Sequence, residues 1–376
     1  MPDLTTPIVL VRPGRIAFGP GTVAEVGRWI RASGFTRTLV IADAFNAARV
    51  PLLEIAGDVS VYADIKAEPD TSDLAAVTRV AVDADAQVVV GFGGGSAMDL
   101  AKLAAVLPGS GQALADVVGV ERVRAKRARL IQVPTTAGTG SEAGTRALVT
   151  DPVTFAKLAV QSDHMLADLA VIDPALTLSM PAAITAATGV DALTHCVEAF
   201  TNKKAHPAID VYALEGIRLV GKWLPRAIAD GQDIEARAGM ALGSLYGGYC
   251  LGPVNTAGGH ALAYPLGTRF HVPHGAANAA IFPHVLGFNT PTVPDRTAAI
   301  LQALGLPAAA DPLAVLASTH DWCSALSCTM RLRDFGVAEP DLATMAAEAH
   351  AIRRLLDNNP RDLGVGDIVG IYAAAL

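Results

Sequence analysis

The chain has 376 residues, of which 51% are hydrophobic and 17% are charged, and its formal net charge is -7. This length exceeds a usual single domain, so we expect two domains that each bury a sizeable core. No uninterrupted apolar run reaches about 18 residues, which argues against a membrane span. The acidic balance, without a sustained basic stripe, argues against nucleic acid as a partner. The first residues lack the pattern of a secretory signal, so we expect a cytoplasmic protein.

Up to residue 180, apolar segments rich in β-formers alternate with helical ones. Strands are predicted over residues 38–43, 59–64, 86–92 and 129–136, and helices over residues 47–57, 72–84 and 97–107. Continuous apolar strands separated by helices indicate a parallel sheet covered on both faces. Beyond residue 180, Ala- and Leu-rich stretches at helical spacing dominate. The predicted architecture is an α/β domain with a parallel Rossmann-like sheet over residues 1–180, followed by an all-helical domain over residues 181–376.

Two glycine-rich segments follow neighbouring strands of the predicted sheet. The first, GFGGGSAMDLAK at residues 91–102, opens a helix, so its backbone N–H groups can approach a pyrophosphate. It departs from G-x-G-x-x-G because Ser96 stands at the last glycine position, and a plain tight turn is the alternative. The second, VPTTAGTGSEAGT at residues 133–145, offers hydroxyls and bare backbone for a ribose-phosphate or nicotinamide, with an ordinary polar turn as its alternative.

Asp43 ends the strand predicted over residues 38–43. An acidic side chain there can accept hydrogen bonds from an adenosine ribose and repel a 2′-phosphate, which favours NAD(H) over NADP(H). The same residue can instead cap the helix that begins AFNAARV. The spacing leaves both interpretations open.

Four side chains in the second half have the spacing of metal ligands. Asp191 and His195 lie on one helical face, in a helix that we predict to start after the segment at residues 181–189. His260 and His274 follow, from a helix and its following turn. A lone buried histidine is usually a hydrogen-bonded core residue, and a lone Asp–His pair at this spacing is usually a helix-surface contact. Three imidazoles with one carboxylate, however, suit Fe²⁺ or Zn²⁺.

Six segments, in order along the chain, resemble the iron-containing, group III, metal-dependent alcohol dehydrogenases. They are GGGSAMDLAK, PTTAGTGSEA, VIDPALTLSMP, TAATGVDALTHCVEAF, HALAYPLG and VPHGAANAAIFPHVLGFN. The resemblance extends over residues 16–369. It implies a dinucleotide-binding domain followed by a helical metal-binding domain, the fold shared with dehydroquinate synthase, and a homodimer or larger homo-oligomer.

Carried over position by position, the resemblance implies a set of site residues. The metal ligands are Asp191, His195, His260 and His274. Pyrophosphate and nicotinamide contacts come from Gly94, Gly95, Ser96, Thr135 and Thr136, and further cofactor contacts from Asp99, Lys102, Ser141 and Lys157. The position of Asp43 implies a preference for NAD(H).

Two residues set this chain apart from the pattern. Many members of the family carry histidine four residues after the third ligand, as a proton relay, but this chain has Tyr264 there. Either Tyr264 orders a water, or His271 relays the proton, or Tyr264 is simply an aromatic wall. Arg146 stands where similar proteins have a neutral residue, so its guanidinium can bind an anionic substrate group or form a structural salt bridge.

The predicted function is therefore NAD- and metal-dependent hydride transfer between nicotinamide and a small alcohol, aldehyde or ketone, which can be an acidic hydroxy or oxo compound. A maleylacetate reductase or hydroxyacid dehydrogenase of the same fold is the closest alternative. A dehydroquinate-synthase-like lyase, which shows no net NADH consumption, is more distant.

Overall fold

The computed structural model describes residues 3–66, 68–153 and 157–376. These residues form two compact units. The sheet unit consists of the described residues of Leu10–Thr136 and Gly140–Leu178. The helical unit consists of Ser179–Leu376, Ala137–Thr139 and the described residues up to Val9.

The sheet unit contains nine strands and five α-helices among its described residues. In chain order they are β1 (Ile16–Phe18), α1 (Glu25–Ala32), β2 (Arg37–Ile41), α2 (Ala44–Ala47), β3 (Asp58–Tyr62), α3 (Thr71–Asp83), β4 (Val88–Gly93), α4 (Gly95–Ala104), α5 (Leu114–Val117), β5 (Gly119–Val120), β6 (Arg129–Pro134), β7 (Arg146–Thr150), β8 (Lys157–Gln161) and β9 (Leu169–Ile172). Six of the strands form one parallel sheet in the order β1-β9-β6-β4-β2-β3, and β5, β8 and β7 form a smaller sheet.

The central strands of the large sheet are apolar because both of their faces are covered. In β2 and β4, Leu39 and Val89 belong to one apolar core, whereas Val40, Val88 and Val90 belong to another. This alternation is the period of two that side chains follow along a strand. The buried sheet therefore accounts for the continuous apolar runs in the sequence.

The strand order reverses between β2 and β4. From β2 the chain passes to β3 at the edge, and it then returns to β4 on the other side of β2. Such a switch point, at the carboxyl ends of parallel strands, is where open α/β sheets bind their ligands. The loops after β2 and β4 are therefore the expected position of a nucleotide site.

The helix predicted over residues 47–57 is wrong. The structure has only the short α2 there, then a 3-10 turn over Val50–Leu53. Pro51 lies in that turn and supplies no backbone N–H for a continuing helix. Glu54 then adopts a left-handed conformation, with φ of 50°, which ends the helical path.

All α-helices of the helical unit follow residue 180. They are α6 (Ala182–Thr201), α7 (Pro207–Ala229), α8 (Ile234–Leu251), α9 (Gly258–Phe270), α10 (His274–Asn289), α11 (Pro294–Leu304), α12 (Pro312–Ala325), α13 (Leu342–Ala351), α14 (Arg353–Leu356) and α15 (Val365–Ala375). Over residues 179–376, every one of which is described, there is no strand. The predicted fold class, a parallel α/β part followed by helices, is confirmed.

Two apolar clusters form the core of the helical unit. One is built mainly on α6, α7, α8 and α10, and the other on α9, α10, α13 and α15. Helix α10 contributes to both. No helix among the described residues has the length and apolar character needed to cross a membrane.

Candidate functional site

Helix α6 carries the first two predicted metal ligands into the interior of the helical unit. Asp191 and His195 are both buried, and the Asp191 Oδ1 atom lies 3.8 Å from the His195 Nε2 atom. The helix starts at Ala182 rather than after residue 189, so the predicted start is wrong by about two turns. The intervening residues are largely Ala and Thr, which a helix tolerates in its first turns.

Helices α9 and α10 bring the other two histidines to the same point. The Nε2 atoms of His260 and His274 each lie 3.6 Å from Asp191 Oδ1. His274 is the first residue of α10 rather than part of a turn. The ligand atoms of Asp191, His195 and His260 all lie within 4.8 Å of one another. The structure thus brings together the four side chains predicted as ligands.

The charges in this cluster shift the protonation of its members. Burial alone would raise the pKa of Asp191, but His195, His274 and His260 lower it far below its usual range. Burial lowers the pKa of His195 to about 4, against the attraction of Asp191. Burial also disfavours the charged form of His260, yet Glu198 and Asp191 outweigh it and raise the pKa of His260 to about 10. The cluster therefore holds an ionised carboxylate, one imidazole whose pKa is lowered and one whose pKa is raised.

The donor set fits a divalent cation. One carboxylate oxygen and three imidazole nitrogens face one another, and a single amide reaches three of them. Asn278 Nδ2 donates to Asp191 Oδ1 at 2.8 Å and lies 3.4 Å from His260 Nε2 and 3.2 Å from His274 Nε2. Asn278 Oδ1 is buried and has no hydrogen-bond partner in the described part of the chain. One carboxylate oxygen together with three imidazole nitrogens is a donor set that suits Fe²⁺ or Zn²⁺.

Sequence reasoning missed two residues that contact the predicted ligands. Glu198 accepts a hydrogen bond from the His260 Nδ1 atom at 2.8 Å, and Asn278 makes the contacts described above. Glu198 lies seven residues after Asp191 and three after His195, which puts all three on one face of α6. That spacing was available from the sequence, whereas the approach of Asn278 to ligands on other helices was not.

Tyr264 and His271, the two candidates for proton relay, occupy different environments. The Tyr264 ring lies 5.9 Å from the His274 ring, centroid to centroid, and its hydroxyl accepts a hydrogen bond from Arg354 at 3.3 Å. His271 is exposed and caps α9 in a left-handed conformation, with φ of 54°. Of the two, Tyr264 is therefore the one in contact with a predicted ligand.

The predicted pyrophosphate loop lies at the switch point of the large sheet. Gly94 caps α4 directly after β4, and Gly95 and Ser96 are the first two residues of that helix. A Cβ on Gly94 would lie 3.6 Å from the side chain of Thr136, which follows β6 together with Thr135. The two glycine-rich segments therefore meet at the carboxyl ends of β4 and β6.

Asp43 caps α2, which agrees with the helix-capping interpretation of this residue. Its Oδ1 atom accepts the backbone N–H of Asn46 at 2.9 Å, and its Oδ2 atom accepts the Asn46 amide at 2.7 Å. Asn46 also donates to the Thr135 hydroxyl at 3.2 Å. Each Asp43 oxygen keeps a further acceptor site, so capping is compatible with binding a ribose.

Three residues predicted to contact the cofactor, buried Lys102 and the half-buried Asp99 and Ser141, form a hydrogen-bond network with one another. Lys102 donates to the Ser141 hydroxyl at 2.6 Å and to the Arg146 carbonyl at 2.7 Å. Asp99 accepts from Ser141 at 2.7 Å and from the backbone N–H of Leu148 at 2.9 Å. Burial lowers the pKa of Lys102, although Asp99 opposes that shift. These contacts join α4 to β7.

The two remaining predicted residues lie on the small sheet. Lys157 forms an ion pair with Glu68 and donates to the Thr150 hydroxyl at 2.9 Å. Arg146 donates to the Gln161 side chain at 3.2 Å and is partly exposed. Both side chains are held by neighbours on β7, β8 or the loop before α3.

Two family models match this chain. Iron-containing alcohol dehydrogenase matches residues 13–174, and the C-terminal model of the Fe-containing alcohol dehydrogenase family matches residues 185–376. The long-chain-alcohol dehydrogenase 1 of Geobacillus thermodenitrificans (strain NG80-2) is 36% identical over 382 residues, which cover 96% of each chain. The chain belongs to the iron-containing alcohol dehydrogenase family, and it is an oxidoreductase.

Solved structures agree with this assignment. The crystal structure of a 1,3-propanediol oxidoreductase has a TM-score of 0.94 and 29% identity, covering 99% of this chain and 100% of that one. The sulfoacetaldehyde reductase from Bifidobacterium kashiwanohense, in complex with NAD+, has a TM-score of 0.88 and 28% identity, covering 98% and 99%. The predicted family, fold and class of reaction are thereby confirmed.

Proposed function

We propose that this chain is an NAD(H)-dependent and metal-dependent dehydrogenase that interconverts small alcohols and their aldehydes or ketones. The convergence of Asp191, His195, His260 and His274 on one point supports this proposal most directly. The family assignment supports it further, as does the NAD+ complex of the sulfoacetaldehyde reductase.

In this proposal the four converging side chains hold Fe²⁺ or Zn²⁺. A cation bound there acts as a Lewis acid, which polarises a carbonyl and eases the loss of an alcohol proton. The chain itself keeps the site dry on one side, because Asp191, His195 and His260 are almost fully buried. His274 is the exposed member, with 36% of its side chain accessible, so substrate approaches from its side.

Tyr264 is the proposed proton relay, because its ring lies against that same exposed histidine. Arg354 donates to the Tyr264 hydroxyl, which leaves the tyrosine O–H directed elsewhere. A phenol with an ordinary pKa near 10 is a slower relay than imidazole at neutral pH. His271 is the alternative relay, and replacing each residue separately distinguishes the two.

The proposed nucleotide site lies at the switch point of the large sheet. Backbone N–H groups of Gly95 and Ser96 at the start of α4 bind the pyrophosphate, with Gly94 giving close access. Thr135 and Thr136 border the nicotinamide side. Asp43 accepts from the adenosine ribose, and its negative charge disfavours a 2′-phosphate, so NADH is preferred over NADPH. Asp99, Lys102, Ser141 and Lys157 support this loop or contact the cofactor.

The test combines metal removal with a ligand substitution. Protein stripped by a chelator should lose at least about 100-fold in NADH-dependent reduction of aldehydes and ketones, and Fe²⁺ or Zn²⁺ should restore it, since Lewis-acid stabilisation amounts to several kcal/mol. Asp191→Asn should not be restored. Asp210→Asn, which alters a carboxylate paired with Arg296 in the same unit, is the matched control and should behave as wild type. Full turnover by metal-free protein would refute the metal role.

A second substrate class, anionic aldehydes and oxo acids, has its own support. Arg146 supplies a guanidinium on β7, where the resemblance expects a neutral residue, and a structural relative is a sulfoacetaldehyde reductase, whose substrate is anionic. A panel of neutral and acidic carbonyl compounds of matched size decides between the classes. Selectivity for the acidic members favours this second candidate.

A further inference from the structure

The carboxylate of Glu198 lies behind His260, on the opposite side of the ring from the predicted metal position. Its Oε2 atom lies 2.8 Å from the His260 Nδ1 atom, whereas the His260 Nε2 atom faces Asp191. Both side chains are buried. The imidazole is therefore held between two carboxylates, one on each ring nitrogen.

Glu198 is itself fixed by the start of α9. Its Oε2 atom accepts the backbone N–H of Ala257 at 2.7 Å, and its Oε1 atom accepts the backbone N–H of His260 at 3.0 Å. Both oxygens thus have backbone donors at the positive end of a helix dipole, which stabilises a buried negative charge. With a backbone donor on each oxygen, the carboxylate cannot rotate freely.

The close approach of Glu198 depends on Gly259. A Cβ at position 259 would lie 2.3 Å from the Glu198 Oε1 atom, which is closer than two such atoms can approach. A glycine at this position therefore lets the α6 carboxylate reach the α9 backbone and the His260 ring together. Helix α6 thus supplies two metal ligands and the support for a third.

We propose that Glu198 is a positioning residue for metal binding, and this inference rests on the proposed function. By accepting the Nδ1 proton, it fixes the tautomer of His260 so that Nε2 carries the free electron pair. It also fixes the ring orientation and increases the basicity of the ligand atom. Outer carboxylates of this kind typically contribute 10- to 100-fold in metal affinity.

A purely structural role predicts a different result. If Glu198 served only to cap α9, replacing it would lower thermal stability but leave the affinity of the folded protein for metal unchanged. Glu198→Gln separates the two roles, because glutamine keeps the size of the side chain but has no charge and cannot accept with both terminal atoms. Glu198→Asp keeps the charge but withdraws it by one methylene.

The experiment titrates Co²⁺, as a probe with visible absorption bands, into metal-free wild type, Glu198→Gln and the control Asp210→Asn. We expect the Kd of Glu198→Gln to rise about 10- to 100-fold, with altered band positions, while the control matches wild type. A wild-type Kd and spectrum in folded Glu198→Gln would overturn the inference. If wild type itself bound no Co²⁺, the proposed function would fail instead.

Circular dichroism and thermal unfolding establish that each variant is folded. Should Glu198→Gln fail to fold, Glu198→Asp decides in the same titration, because it retains an ionised carboxylate at a longer reach. We expect Glu198→Asp to bind Co²⁺ more weakly than wild type. Unchanged affinity and band positions in that variant would overturn the inference.

Discussion

Glu142 gives the sheet unit a pH-dependent stability that can be measured. It lies in a 3-10 turn over Ser141–Ala143, is 2% exposed, and its Oε2 atom has no hydrogen-bond partner among the described residues. Burial raises the pKa of Glu142 from 4.5 to about 7, against the attraction of Lys102. The folded state therefore keeps a proton that the unfolded state loses between these two pH values.

The direction of this pH dependence follows from the number of protons that each state binds. Between pH 4.5 and about 7 the folded chain binds one more proton at Glu142 than the unfolded chain, so stability decreases as the pH rises. The stabilising contribution is complete below pH 4.5 and is lost by about pH 7. A shift of this size corresponds to about 3 kcal/mol at most. Glu142→Gln mimics the protonated form and should remove this dependence.

The assay is urea unfolding at pH 5 and pH 8, followed by the fluorescence of Trp29. A background of Trp223→Phe and Trp322→Phe leaves Trp29, which belongs to the sheet unit, as the only tryptophan. The free energy of unfolding of Glu142→Gln should match that of its parent at pH 5 and exceed it by up to about 3 kcal/mol at pH 8. An equal difference at both pH values, or an advantage for glutamate at pH 8, would refute the reasoning.

Three further predictions concern the proposed metal, nucleotide and substrate sites. Gly275→Ala places a Cβ 2.3 Å from the Ala187 carbonyl, so it should cost about 1–3 kcal/mol and weaken Co²⁺ binding by shifting the start of α10; an unchanged Tm would contradict this. Asn46→Ala removes a donor from Asp43 and should raise KM for NADH about fivefold but not KM for NADPH, as steady-state kinetics would show. Arg146→Ala should raise KM for acidic substrates about tenfold and leave neutral aldehydes unaffected; an equal effect on both would remove Arg146 from the substrate site.

Much of the sheet unit could be predicted because its signals are local. Strands β2 and β4 are buried on both faces, so the sequence shows each as an apolar run between turn residues. The helix predicted over residues 47–57 is wrong for a local reason too. Pro51, which the sequence shows, interrupts the helical path, whereas the left-handed conformation of Glu54 has no signal in the sequence.

The residues of the candidate metal site could be predicted where their spacing in the sequence places them on one helical face. Asp191 and His195 share a helical face with Glu198, so the place of Glu198 beside the ligands was also open to prediction from the sequence. Asn278 lies four residues after His274 on α10, but its contacts with Asp191 and His260 on other helices arise only after folding. Roles assigned through the family pattern, including that of Lys157, stay predictions, as do the oligomeric state and the choice between Fe²⁺ and Zn²⁺.

The predicted ligand groups are divided between the two units without overlap. The four metal ligands come from α6, α9 and α10 of the helical unit, whereas the predicted nucleotide contacts belong to the sheet unit. Binding to the native state alone adds RT ln(1 + [L]/Kd) to stability, or about 2.7 kcal/mol at 100 times Kd. Amide hydrogen exchange should therefore slow in α6, α9 and α10 when a cation is added, and it should slow around β4 and β6 when NADH is added. The location of the slowed exchange would thus show whether the cation or the nucleotide has bound.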